Sequence, residues 1–166
     1  MCKPSLASDA SVLAELQNVM VKYGQRHILR NVSLSIRSGE FWSLIGPNGA
    51  GKSTLLGLFN GLTPCQKGRV AYAGQCVTPR NVQQVRLKVA QVFQVADIDP
   101  KMPLSVFESV LGGTYARLGL FRRPGKRERS LALAALETVG LAELAGRPLG
   151  QLSGGQRQRV ALARAL

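Results

Sequence analysis

Two stretches near the start of the chain alternate between apolar and polar positions. Val19, Val21 and Tyr23 alternate with polar or flexible residues, and NVSLSIR from Asn31 sets Val32, Leu34 and Ile36 on one face. A period of two predicts strands, and a wetted second face predicts antiparallel pairing. YGQRH between them reads as a turn, and GRVAYAG reads as a short strand bounded by glycines. FWSLI at 41–45 is nearly continuous and apolar, which predicts a strand buried on both faces, and KVAQVFQ from Lys88 reads the same way.

The helical signals are different. KSTLLGLFNGL predicts a helix from Lys52 to about Asn60. Ser105 and Glu108 have capping-box spacing, predicting a helix through Leu111 that ends at Gly112-Gly113. SLALAALETVG predicts another, with Gly140 as its terminating residue. Residues 1 to 12 read as a loose lead-in. The organisation is therefore α/β, one domain in 166 residues. It has a core over about 13–93 with an antiparallel β subdomain, a helical subdomain inserted over about 95–150, and a loop and helix at 152–166.

The glycines after FWSLI bring in the first chemistry. GPNGAGKST comprises Gly46, Pro47, Asn48, Gly49, Ala50, Gly51, Lys52, Ser53 and Thr54, and matches G-x-x-x-x-G-K-[ST]. A loop that wraps phosphate closely disfavours side chains, and glycines permit the dihedrals that turn successive N–H groups inward. The following helix aims its N-terminal dipole at the anion. Lys52 supplies a mobile charge for the β- and γ-phosphates of ATP, and the Ser53 hydroxyl is the Mg²⁺ ligand. A buried strand before the loop and a helix after it are the setting this mechanism requires, so the core reads as a P-loop NTPase.

LSGGQ at 152–156 is a second anion cradle. Ser153 is placed to cap a helix that starts about Gln156, leaving free amides at that end.

Composition alters this picture in few places. The 45% hydrophobic and 19% charged residues suit a globular chain. The balance of 22 Lys and Arg against 9 Asp and Glu, formally +13, fits phosphate ligands, nucleic acid or an anionic membrane surface. Aromatics at 5% leave few stacking platforms for single-stranded nucleic acid. Cys2, Cys65 and Cys76 lack CxxC spacing and read as reduced thiols rather than a zinc site or disulfide framework. The N-terminus has no apolar core of a secretory signal, and no apolar run approaches the roughly 18 residues of a spanning helix. His27, the one histidine, reads as a solvated side chain beside a turn. Arg122, Arg123, Lys126, Arg127 and Arg129 read either as a solvated loop or as a surface near anionic headgroups or a membrane partner.

Tyr23, the P-loop, Gln94 in VFQ, and LSGGQ followed by RQRVALARAL come in an order that resembles the ATP-binding subunits of ABC transporters from about Val19 to Leu166. The middle segment, PLSVFESVLGGTYARLGLFRRPGKRER and the stretch through LSGGQ, is similar to ATPases of manganese, zinc and iron-chelate uptake systems. The resemblance implies a head-to-tail dimer of such subunits. The P-loop of one and the LSGGQ of the other then clamp each ATP. It implies that Tyr23 stacks on adenine, and that Gln94 touches Mg²⁺ or the attacking water. Ser153, Gly154 and Gly155, with Gln156, would meet the γ-phosphate bound to the opposite subunit.

It further implies an integral membrane permease contacted around Gln94 and residues 95 to 120, a substrate-binding protein in the full system, and a peripheral place on the cytoplasmic face of the membrane. The family's apolar strand ending in Asp-Glu, its later loop aspartate and its switch histidine are not among these residues. The resemblance therefore reads as a C-terminally truncated ATPase that binds ATP and barely hydrolyses it. An ABC-type ATPase of DNA repair or translation, and a non-catalytic nucleotide-binding remnant, are the alternatives. The uninterrupted spacing from Gln94 to LSGGQ favours the transporter.

Overall fold

The computed structural model describes residues 12–93, 103–119 and 122–166. The chain divides between Val89 and Ala90 into two compact units.

The first unit is built on a four-stranded antiparallel sheet of order β2-β1-β3-β4. Its strands are β1 (Val12–Tyr23), β2 (Arg26–Arg37), β3 (Lys67–Tyr72) and β4 (Gln75–Cys76). Register pairs Leu16 with Leu34 and Val70, and Val19 with Val32, so apolar side chains share one face. Helix α1 (Lys52–Phe59) supplies Leu55, Leu58 and Phe59 to the same core as Leu16, Val19, Val21 and Leu29. A short helix, α2 (Val82–Arg86), buries Val85.

The sheet is not regular. Between the pairs Leu16–Leu34 and Val19–Val32, β1 carries one extra residue. Asn18 takes a left-handed φ of 49° there, and Asn31 takes 51° in β2. Asparagine tolerates that region better than most residues. The Asn18 N–H, displaced from the ladder, donates to Ser33 Oγ at 2.9 Å. β3 then passes so close that a Cβ on Gly68 would lie 2.4 Å from the Asn18 carbonyl oxygen.

Two sequence expectations fail here. Residues 41–45 form no strand, and Phe41 and Ile45 are 94% and 89% exposed. Residues 88–93 form none either. A strand buried on both faces needs hydrogen-bonded neighbours and covering layers. Among the described residues, the four strands pair antiparallel with one another and leave none for 41–45. Among the cysteines, Cys65 is free and donates to the Lys67 carbonyl at 3.1 Å. Cys76 is disulfide-bonded, against the expectation of reduced thiols throughout.

The second unit is helical: α3 (Val106–Leu111), α4 (Tyr115–Leu118), α5 (Lys126–Thr138) and α6 (Gly154–Ala163). Val106, Val110, Leu136, Leu141, Leu149, Leu152 and Val160 form its core. Ser105 caps α3 as expected: its Oγ accepts the Glu108 N–H at 3.1 Å, and a Glu108 carboxylate oxygen accepts the Ser105 N–H at 2.8 Å. The Ser105 N–H, with the Ser105 hydroxyl donating at 2.7 Å, holds the Glu108 carboxyl below its usual range. α3 ends at Leu111 with Gly112 at its C-cap, as expected, but the chain does not leave the helical path there. It tightens to a 3₁₀ turn over Gly112–Thr114, continues as α4, and ends at Gly119. α5 stops just before Gly140, as expected.

Candidate nucleotide-binding site

The P-loop sits in the first unit. Its residues 46–50 are exposed, and Gly51 stands at the N-cap of α1 with φ 88°. A side chain there is doubly opposed, because a Cβ would be 3.1 Å from both Ile28 Cγ2 and Leu29 Cδ2 on β2. Glycine therefore lets the loop lie against the sheet. Leu55 N–H makes the first helical bond to Gly51 O at 2.9 Å, and no side chain caps the turn. The amides of Lys52, Ser53 and Thr54 are thus left to an anion. Lys52 Nζ donates to the Gly46 and Pro47 carbonyl oxygens at 2.7 and 2.8 Å, holding the ammonium on the loop itself.

Ser53 is exposed in the first turn of α1, where its hydroxyl can serve as an Mg²⁺ ligand. No cluster of three or more His, Cys, Asp or Glu able to hold a metal occurs among the described residues. Gln94, the other expected metal contact, lies outside the described residues.

Tyr23 ends β1, opposite Arg26 across the turn, and is 55% exposed. His27, paired with Lys22 on the neighbouring strand, is not simply solvated: its Nδ1 is shielded and has no hydrogen-bond partner. Desolvation first, then Lys22 and Arg30, lower its pKa from the ordinary value. A lowered folded value means the unfolded chain binds the proton more readily, so stability is present above the unfolded pKa of about 6.5 and is lost as pH falls through the folded value. Unfolding midpoints measured from pH 7.5 down to pH 5 are expected to fall, and His27→Gln is expected to flatten that decline.

The second cradle opens α6. Ser153 is its N-cap: its Oγ accepts the Gln156 N–H at 3.3 Å, and Gln156 Oε1 accepts the Ser153 N–H at 2.9 Å. The helix begins at Gly154, two residues before the expected start. A Cβ on either Gly154 or Gly155 would meet nothing within 4 Å, so their face is open. One contact had no sequence signal. An Arg157 guanidinium nitrogen donates to the Leu152 carbonyl at 2.7 Å, tying the first turn of α6 to the buried residue that precedes the cap.

A phosphate-type loop at a helix N-terminus and a second capped glycine pair define a P-loop nucleotide-binding protein. The family described as ABC transporter matches residues 29–166, and the chain belongs to it. It is 47% identical to the manganese transport system ATP-binding protein MntB of Listeria monocytogenes, over 92% of this chain and 61% of that one. It is 42% identical to the zinc transport system ATP-binding protein TroB of Treponema pallidum, over 96% and 58%. A subunit of the cbiONQ ABC transporter complex of Clostridium perfringens superposes with a TM-score of 0.75 at 28% identity, covering 93% of this chain and 61% of that one. The chain thus spans about three fifths of the length of the curated relatives it matches.

Proposed function

We propose that the chain is the ATP-binding part of a metal-ion importer, coupling ATP binding and hydrolysis to transport through a membrane permease. The observation that carries the reading is a pair of anion cradles of different design on one chain, the uncapped turn at Gly51 and the capped turn at Ser153. A head-to-tail dimer gives both a use, with the P-loop of one copy and the Ser153–Gln156 turn of the other on either side of one ATP. The metal reading rests on likeness to the manganese and zinc system proteins.

Lys52 moves least. Its ammonium exchanges the Gly46 and Pro47 carbonyls for β- and γ-phosphate oxygens, which are charged and stronger acceptors. The first-turn amides of α1 hold the remaining phosphate charge, and Tyr23 stacks on the base. Mg²⁺, held by Ser53 and Gln94, would neutralise charge developing on the phosphates. Gly154 and Gly155 present amides to the γ-phosphate of the partner's nucleotide.

No helix among the described residues is long and apolar enough to cross a membrane. Attachment at the cytoplasmic face then comes through the permease, met around residues 95 to 120, with a substrate-binding protein completing the system. ATP titration tests the reading: Lys52→Ala is expected to weaken binding by about 1.5–3 kcal/mol, roughly tenfold to a hundredfold. Equal affinities would sink it.

A further inference from the structure

We infer that the cationic segment at the start of α5 is a docking surface for anionic phospholipid headgroups. Arg122, Arg123, Lys126, Arg127 and Arg129 are all exposed. None of the five side chains has an ion-pair or hydrogen-bond partner among the described residues. The acid in their midst, Glu128, whose carboxylate oxygen accepts the Gly125 N–H at 2.8 Å, offsets only one of the five. Five cations against one acid within eight residues leave a strongly positive patch. Such clusters are drawn to the negative surface of a bilayer within a Debye length.

What favours lipid over nucleic acid is the company these cations keep. Leu131 follows Arg127 by one helical turn and is 50% exposed, and Leu133 follows Arg129 in the same way at 44%. Aliphatic side chains beside cations suit the boundary between headgroups and acyl chains, where the charge stays in water and the leucine does not. A phosphodiester backbone offers those leucines nothing. No aromatic residue lies between 122 and 133 to stack on bases. The buried side of the helix, Ala132 and Leu136, is untouched by such docking.

The inference rests on the proposed place beside a membrane permease, and vesicle binding reads it separately from ATP binding. The full 166-residue chain is sedimented with phosphatidylcholine vesicles, with or without about one third phosphatidylserine. It is expected to partition onto the anionic vesicles alone, and less so as salt rises. Changing the five cations together (Arg122→Gln, Arg123→Gln, Lys126→Gln, Arg127→Gln, Arg129→Gln) is expected to lower partitioning roughly tenfold or more. Neutralising five exposed cations elsewhere (Arg30→Gln, Lys67→Gln, Arg80→Gln, Lys88→Gln, Arg147→Gln) is expected to leave most of it.

A charge-preserving set (Arg122→Lys, Arg123→Lys, Arg127→Lys, Arg129→Lys) should bind like the unmodified chain, so loss through misfolding is distinguished from loss of charge. Equal loss in both glutamine sets, equal binding to neutral vesicles, or binding by the five cations to duplex DNA or RNA but not to vesicles overturns the inference. If vesicle binding fails while ATP binding still depends on Lys52, the surface is refuted and the nucleotide reading stands.

Discussion

Gly68→Ala is expected to destabilise the sheet unit strongly and to weaken ATP binding with it, although residue 68 is no part of the P-loop. Gly68 has φ 92°, and an added Cβ would stand 2.4 Å from the Asn18 carbonyl oxygen and 2.5 Å from that of Gln17. Both obstacles are backbone of the central strand, so no side chain can rotate away. The left-handed conformation costs a side-chain-bearing residue about 1–2 kcal/mol, and overpacking adds about 1–3 kcal/mol. A sum of about 2–5 kcal/mol is a large share of the roughly 5–15 kcal/mol that holds a typical domain. The P-loop follows because Gly51 rests against Ile28 and Leu29, on the strand paired with β1. Thermal unfolding by circular dichroism and ATP titration of the same variant check both halves. A melting midpoint and affinity like those of the unmodified chain would show that β3 can move aside.

In the helical unit the largest loss is expected from Leu136→Ala. Leu136 is fully buried in the cluster that also holds Val106, Val110, Leu141, Leu152 and Val160. Truncating a buried leucine typically costs about 2–5 kcal/mol, from lost transfer energy plus the cavity left behind. The midpoint of this unit should fall by about 10 °C or more. Leu152 and Val160 bracket the Ser153 cap, so the variant should also loosen the amides of Gly154 and Gly155. Hydrogen exchange at Ser153 and Gln156, whose N–H groups are tied in the capping box, reports that loosening. Leu136→Met, which nearly conserves volume, is expected to cost less than about 1.5 kcal/mol. Matching losses in the two variants would count against the cavity as the cause.

What was legible in the sequence is what closes over a few residues. The Ser105–Glu108 and Ser153–Gln156 boxes each consist of reciprocal bonds spanning three positions, and both formed as their spacing implied. The hairpin strands follow from alternation alone. The glycines, lysine and serine of the P-loop state their chemistry locally, because the turn and the helix that follows it are one short segment. Even so, spacing did not show that Lys52 rests on the Gly46 and Pro47 carbonyls.

Other features depended on groups brought together from far along the chain. Residues 41–45 read as a buried strand, yet a strand exists only where another lies beside it, and apolar content cannot supply the neighbour. Gly112-Gly113 read as a stop and α3 does end there, but the pattern did not show that the chain runs on through a 3₁₀ turn and α4 to Gly119. At Gly113 the absent Cβ instead admits the Arg164 carbonyl at the end of α6, which would be 2.4 Å away. The bulge at Asn18 needed Ser33, fifteen residues on, to take its displaced N–H. Sequence by itself determined the caps and the turns at Gly51 and Ser153, whose hydrogen bonds lie within a few residues. Tertiary structure alone decided which apolar runs pair and which glycines let another backbone approach, because those outcomes depend on contacts that no local pattern contains.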